Sequence, residues 1–322
     1  MTMEIGYHAS HEQFAPSRLL RLARQAEDAG FDAVLSSDHL FPWSERQDQA
    51  GFAWAWLGAA LATTTLPYGV VTAPGDRYHP AVIAQSIATL LEMAPGRFIP
   101  ALGSGQALNE HVTGRRWPTK DVRNARLAEC ADVIRRLLAG ETVDHDGLVR
   151  LRAARVYTLP SAPPPLFAAA LSPETARAVA WWADGLITVN APRQKLRAVI
   201  GAFRETAGRA KPVHVQMHLS WARSDDEVRA QALDQWRANA LPPSLNEELE
   251  VPAQFDAATV HVPAEALEDS IVMSSEAARH AEVLAEYAQL GVERVYLHQV
   301  GVDQEEFVDA FGADVLPQVR AG

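Results

Sequence analysis

Acids and imidazoles at the ends of short apolar runs are the first features with chemical content. His8, His11 and Glu12 follow one such run, and Ser37-Asp38-His39 closes a second and leads to Trp43. Gly103-Ser104-Gly105-Gln106 closes another, and His298 closes the last. An aspartate beside a histidine, as in Asp38-His39, can set the ring's tautomer and hold it ready to exchange a proton near neutral pH. An aspartate that only caps the loop behind its strand would leave the same dipeptide. Trp43, Phe52, Trp54 and Trp56 form an aromatic cluster, in which Trp43 is assigned to a flat pocket and the other three to packing.

Two further stretches could hold a ligand through the main chain. Gly103 and Gly105 permit close backbone approach. Ala169-Ala170-Leu171-Ser172 leads into Pro173-Glu174, the start of a helix whose free amides could hold a phosphate. Ser172 is then either a phosphate contact or the N-cap alone.

These groups act together only if the fold brings them to one place. Eight short runs, 4–9, 33–37, 69–72, 98–103, 166–170, 185–189, 213–220 and 294–298, read as strands. Between them, 17–29, 80–93, 123–138, 174–183, 193–207, 225–240 and 275–290 carry a helical period, with glycines at 30, 140, 208 and 291 as helix ends. The alternation predicts an α/β fold, a (β/α)8 TIM barrel, with a doubly wound open sheet as the alternative that periodicity leaves standing. In a barrel the C-terminal strand ends share one mouth, and the groups above would meet there. The segment 241–269, rich in proline and acids, exceeds an ordinary connection and is expected to cap that mouth. Pro160, Pro163, Pro164 and Pro165 run straight into a strand, so they fix a loop entry, and the expectation is one domain over 1–322.

Of the 322 residues, 48% are hydrophobic and 21% charged, which is ample for a globular core. The net charge of −11 disfavours nucleic acid and anionic membrane surfaces as partners. Cys130, the single cysteine, falls in a helical stretch and reads as a core thiol. Met1 to Tyr7 carry no basic-then-apolar leader and no run of 18 apolar residues occurs, so the reading is a cytoplasmic protein.

Several motifs occur in an order and spacing that resemble the luciferase-like oxidoreductases, in particular the branch containing deazaflavin-dependent glucose-6-phosphate dehydrogenase. They are Ser37-Asp38-His39 with Pro42-Trp43, Arg77-Tyr78-His79-Pro80-Ala81-Val82-Ile83-Ala84-Gln85, Pro95-Gly96-Arg97 and Gly103-Ser104-Gly105-Gln106-Ala107-Leu108-Asn109-Glu110, with weaker matches up to Phe311 and Leu316-Pro317. The resemblance implies a cofactor, coenzyme F420 or FMN, over the end of the third strand, with Val70-Val71 as a non-prolyl cis peptide beneath it. It implies cofactor contacts from Asp38, Val70, Val71, Thr72, Ala73, Gly105, Gln106, Asn109 and the loop Ala169, Ala170, Leu171 and Ser172. It also implies proton exchange by His39, aided by Trp43 and Glu12, on a small-molecule substrate, and a homodimer built through the barrel helices.

Departures from that branch bear on the substrate. Gln106 stands where the sugar-phosphate dehydrogenases carry a glutamate, and an amide cannot donate a catalytic proton. Their phosphate-binding cations fall on Pro192, Glu268 and the Glu305-Glu306 region. The expected substrate is therefore uncharged and not glucose 6-phosphate. Ala170-Leu171 replaces a Gly-Gly pair near the cofactor phosphate. Together with His8-Ala9-Ser10-His11-Glu12-Gln13-Phe14 and Gln106, this resembles a sub-branch that uses an ordinary flavin, which would make an FMN-dependent monooxygenase supplied by a flavin reductase. Two other classes stay open: a flavin-binding protein without turnover, and a metal-dependent barrel hydrolase built on His8, His11, Asp38, His39 and His298.

Overall fold

The computed structural model describes residues 3–321. Its strands are β1 (Glu4–Ala9), β2 (Ala33–Ser36), β3 (Tyr68–Thr72), β4 (Phe98–Leu102), β5 (Val143–Asp146), β6 (Arg150–Ala154), β7 (Phe167–Ala169), β8 (Gly185–Val189), β9 (Val213–Ser220), β10 (Val272–Met273) and β11 (Arg294–Gln299). Parallel pairing runs β1, β2, β3, β4, β7, β8, β9, β11 and returns to β1, so eight strands close a barrel. These are the eight runs expected as strands, and the open sheet is excluded. Residues 1, 2 and 322 of the expected 1–322 domain lie outside the described residues.

The register decides which side chains enter the barrel. Gly6 pairs with Tyr296 and with Ala33, Leu35 with Gly69, Val71 with Ala101, Phe167 with Gly185, and Ile187 with His214. Ala33, Leu35, Ala101, Phe167, Ile187 and Tyr296 pack as one cluster, joined by Val71, Ile99 and Ala169. Because side chains alternate across a strand, the intervening residues, Val34, Val70, Tyr68 and Leu102 among them, face the helices and join the large outer core.

Pro80–Met93 forms the helix at the bounds expected, with Pro80 in the first turn and His79 Nδ1 accepting from Ala81 N at 3.2 Å. Cys130 is fully buried in Lys120–Leu138, and burial pushes its thiol up to about 12. The helix Ala53–Thr63 escaped the sequence reading because AWAWLGAALAT has no polar stripe to mark a period. The antiparallel hairpin of β5 and β6 was missed because its residues are largely charged and exposed.

The stretch 241–269 consists of short helical turns, Pro243–Asn246, Pro252–Ala258 and Ala264–Leu267. It is fastened to the loops that follow β2 and β4. Ala107 N donates to Glu247 O at 3.1 Å, Ser44 Oγ donates to Asp256 at 2.8 Å, and buried Phe255 meets Trp43 edge-on at 5.5 Å. The Glu247 carboxylate also pairs with Lys120 and with fully buried Arg123.

Candidate active site

β1 and β2 end side by side, so the loops behind them place Glu12 and His39 together. Glu12 Oε1 lies 3.5 Å from His39 Nδ1, while Glu12 Oε2 accepts hydrogen bonds from Ser10 Oγ at 3.0 Å and Ser37 Oγ at 2.7 Å. Burial opposes ionisation of Glu12, but His39, the Ser37 hydroxyl and His8 together hold its carboxyl below the usual range. Burial also lowers His39, against the pull of Glu12 and with the repulsion of Arg77, so the imidazole is neutral at pH 7. Only 16% of the His39 side chain is exposed, and with Nδ1 buried the nitrogen left to the open side is Nε2. Trp43 lies 4.9 Å from the His39 ring. Trp54 and Trp56 are buried in the core, but Phe52, expected to pack, is 57% exposed. It begins a helix whose buried face starts one residue later, at Ala53.

Asp38 does not bond to its neighbour His39, nor does it cap a helix. Its Oδ2 accepts from Thr72 Oγ1 at 2.6 Å and its Oδ1 from the Tyr78 hydroxyl at 3.1 Å. The Arg77 guanidinium stands 3.3 Å from Asp38 and 3.7 Å from Glu110, and Arg77 N donates to Glu110 Oε2 at 2.8 Å. Both carboxylates are buried, and burial holds Glu110 above the usual range. Arg77 and Glu110 were not among the expected site residues. Their signal lay in the motifs, where each ends or begins a quoted stretch without an assigned role.

The cofactor contacts expected at the ends of β3, β4 and β7 divide in two. Val71, Ala73, Gly103, Gly105 and Ala169 line a floor of small groups. A Cβ added at Gly103 would touch Ala169 Cβ at 3.7 Å and Thr72 O at 3.9 Å, so glycine there leaves the surface bare. Gly105 has φ +83° and is hemmed by Glu110, Ala73 and Trp117, a conformation other residues rarely adopt. Val70 and Ala170 are buried in the outer core, so their side chains point away from that floor and only their main chain can contribute.

No peptide among the described residues is cis, which corrects the expectation for Val70-Val71. Both residues keep ladder register, Val70 with Pro100 and Val71 with Ala101, on a regular trans strand. Ser172 Oγ accepts from Thr175 N at 3.2 Å and caps Pro173–Val179, so the capping alternative describes its observed bond. Leu171 beside it is 47% exposed. Asn109 Oδ1 accepts from Leu40 N at 2.8 Å and fixes the loop behind β2. Gln106 is half-buried at the start of Ala107–Glu110, with no side-chain cap bond.

Across the hollow the wall is polar. His8, Gln216, His218 and His298 project inward from β1, β9 and β11. The His8 and His298 rings stack at 4.2 Å, a packing contact and not a shared-ligand geometry. Among the described residues no group of three or more His, Cys, Asp or Glu side chains is arranged to hold a metal ion. No described helix is long and apolar enough to cross a membrane.

A family model described as luciferase-like monooxygenase matches residues 2–294. An F420-dependent glucose-6-phosphate dehydrogenase of Nakamurella multipartita is 37% identical, over 99% of this chain and 97% of that protein. The same-named protein of Beutenbergia cavernae is 35% identical, over 99% and 98%. An F420-dependent secondary alcohol dehydrogenase solved with an F420-acetone adduct superposes with a TM-score of 0.91 at 30% identity, over 99% of this chain and 100% of that one. With the barrel, the motifs and these matches in agreement, the chain belongs to the luciferase-like monooxygenase family.

Proposed function

We propose that this chain is an F420-dependent oxidoreductase that oxidises an uncharged alcohol or, in reverse, reduces the matching carbonyl. The observation that carries the reading is His39, a neutral imidazole backed by buried Glu12 at the mouth that holds the bare floor of Val71, Gly103 and Ala169. The likeness to an F420-dependent secondary alcohol dehydrogenase supports it. F420 supplies a two-electron carbon centre for hydride exchange, which leaves the protein one proton to manage.

Val71, Ala73, Gly103, Gly105 and Ala169 would hold the ring, with Asp38, Thr72, Asn109 and the main chain of Val70 and of Ala170, Leu171 and Ser172 around it. Glu12 faces His39 Nδ1 across 3.5 Å without hydrogen-bonding to it, and its negative charge favours the tautomer with the proton on Nδ1, which leaves the Nε2 lone pair to a substrate hydroxyl. The ionised Glu12 then stabilises the imidazolium, and the same pair returns the proton in the reverse direction. Trp43, pressed between His39 and Phe255, closes one side of the reacting space. Gln106 can orient an oxygen but transfers no proton. The segment 241–269 caps this space within one barrel domain.

Several cations of the surrounding loops are already committed, although Arg116 and Arg237 join no ion pair among the described residues. Arg77 serves Asp38 and Glu110, Arg46 serves Asp256, and Lys120 and Arg123 serve Glu247. Pro192 and Glu268 bring none, and Glu305 is bound to Arg18. This supports an uncharged substrate. The relatives named glucose-6-phosphate dehydrogenases lend no support to excluding that ester, so it belongs in the assay. Gln106 favours a second reading, an FMN-dependent monooxygenase fed by a flavin reductase. A cytoplasmic homodimer through Pro80–Met93, where Val82 and Met93 are 52% and 54% exposed, completes the proposal.

Titrating the apoprotein separately with F420 and with FMN, followed by ligand fluorescence, tests the reading. Preference for F420 sustains it. Preference for FMN replaces it with the monooxygenase, and binding of neither removes both.

A further inference from the structure

The barrel interior is chemically divided. Strands β3, β4, β7 and β8 contribute Val71, Ala101, Gly103, Ala169, Ile187 and Val189, with Phe167 beneath them, all without a hydrogen-bonding side chain. Strands β1, β9 and β11 contribute His8, Gln216, His218 and His298. A ring resting on the first half faces hydrogen-bonding groups on the second. The protonation of those groups follows from one backbone carbonyl.

Val300 O accepts from Gln13 Nε2 at 2.8 Å, which fixes the orientation of that amide. Gln13 Oε1 therefore faces His298 Nε2, 3.4 Å away, and Nε2 must carry the hydrogen. His298 Nδ1 is then an acceptor, and the Gln216 group 3.1 Å from it must be the amide nitrogen. The same nitrogen lies 3.3 Å from His218 Nε2, so it donates to both rings and its two hydrogens are spent. His218 consequently bears its hydrogen on Nδ1; the Asn239 group 3.3 Å from that nitrogen is Nδ2 in this structure, so the amide of Asn239 must turn over to present its oxygen as acceptor. Burial holds His218 down to about 4 and His298 well below the ordinary histidine range, so both rings stay neutral acceptors at working pH.

Among the described residues, both side-chain bonds of Gln216 run through its nitrogen, and Oε1 is left unused. The Gln216 side chain is half-buried and inward-facing, and two imidazoles lock its rotation. A rigid neutral acceptor in a polar wall selects a hydroxyl donor and gives nothing to a phosphate or carboxylate, which have no hydrogen to offer.

We propose that Gln216 is a specificity-determining residue that accepts a hydrogen bond from a second hydroxyl of the substrate, with His218 and His298 as its positioning residues. The substrate class is thereby an uncharged diol or polyol, one hydroxyl addressed by His39 and another by Gln216. This rests on the reading of the chain as an F420-dependent alcohol oxidoreductase.

The test compares 2-propanol, 1,2-propanediol and glycerol as substrates of the F420-loaded enzyme and of Gln216→Met, which keeps volume but loses donor and acceptor. The expected result is a kcat/KM for the diols at least tenfold above 2-propanol, a drop of roughly tenfold or more for the diols alone in the variant, and unchanged F420 affinity. Histidine ¹⁵N spectra of the apoprotein supply a readout without turnover: protons on His298 Nε2 and His218 Nδ1, with the acceptor nitrogens of both rings shifting in Gln216→Met. Should that variant not fold, Gln216→Glu serves, since a carboxylate cannot donate to either ring and must shift both. Equal loss for 2-propanol and the diols, or the opposite tautomers, overturns the proposal while the alcohol reading stands. Failure of the wild type to bind F420 overturns that reading, and the proposal with it.

Discussion

The carboxylate facing His39 belongs to Glu12, 3.5 Å from Nδ1, and not to its chain neighbour Asp38, which is spent on Thr72, Tyr78 and Arg77. Two predictions separate these roles. His39→Ala should lower kcat by roughly 10²- to 10⁴-fold with cofactor affinity unchanged, because the imidazole handles only the proton. Glu12→Gln should lower kcat less and move the acid limb of the oxidation rate profile to lower pH, since the amide no longer stabilises the imidazolium. Stopped-flow rates and fluorescence titration check both, and unaltered turnover in His39→Ala would take that residue out of the mechanism.

Gln106 opens Ala107–Glu110 without capping it, so its side chain is free to be changed with little structural cost. Gln106→Glu should add a proton donor at the mouth and raise F420-dependent alcohol oxidation. Steady-state assays with the two proteins decide this. No gain would mean that the absent carboxylate is not what distinguishes this chain from the dehydrogenases.

Arg77 is the one guanidinium between two buried carboxylates. Removing it in Arg77→Met leaves Asp38 with its two hydroxyl donors and Glu110 with a single backbone donor, and should cost about 3 to 5 kcal/mol of stability. Arg77→Met combined with Glu110→Gln should recover part of that loss, because one uncompensated charge is gone. Urea denaturation at pH 7 measures all three. A single variant as stable as the parent would show the ion cluster to be energetically idle.

The barrel was legible because its eight strands are short, apolar and evenly interrupted, and strand ends in a barrel must converge. Glu12 and His39 could be named for the same reason. Their partnership could not, since it depends on two loops meeting across β1 and β2, and sequence adjacency pointed to Asp38 instead. Val70 and Ala170 were placed at the site by motif, yet strand alternation turns both side chains outward. Gln216 was invisible: nothing in VHVQMHLS separates an inward amide locked by two histidines from an ordinary alternating strand, and only the register of β9 against β11 brings His298 to it.

Buried histidines make acid stability the last prediction. Burial holds His11 and His218 down to about 4 and His8 and His214 down to about 3, against 6.5 in an unfolded chain. A group with a depressed folded pKa is neutral in both states above 6.5, so its contribution is fully present there. As pH falls below 6.5 the unfolded chain binds protons that the fold refuses, and stability drops until the folded pKa is reached. Each ring that titrates near 4 removes roughly 3 kcal/mol once pH is below both values. Glu12, held low, adds loss at the acid end, whereas Glu110, held high, opposes it. The fold should therefore be at full stability near pH 7.5 and lose several kcal/mol by pH 5, ahead of ordinary carboxylate titration. Urea midpoints across pH 4.5 to 8 measure this, and His214→Phe, away from the mouth and already among Phe167 and Tyr296, should flatten the slope by about one proton. A slope equal in parent and variant would mean that His214 is protonated alike in both states.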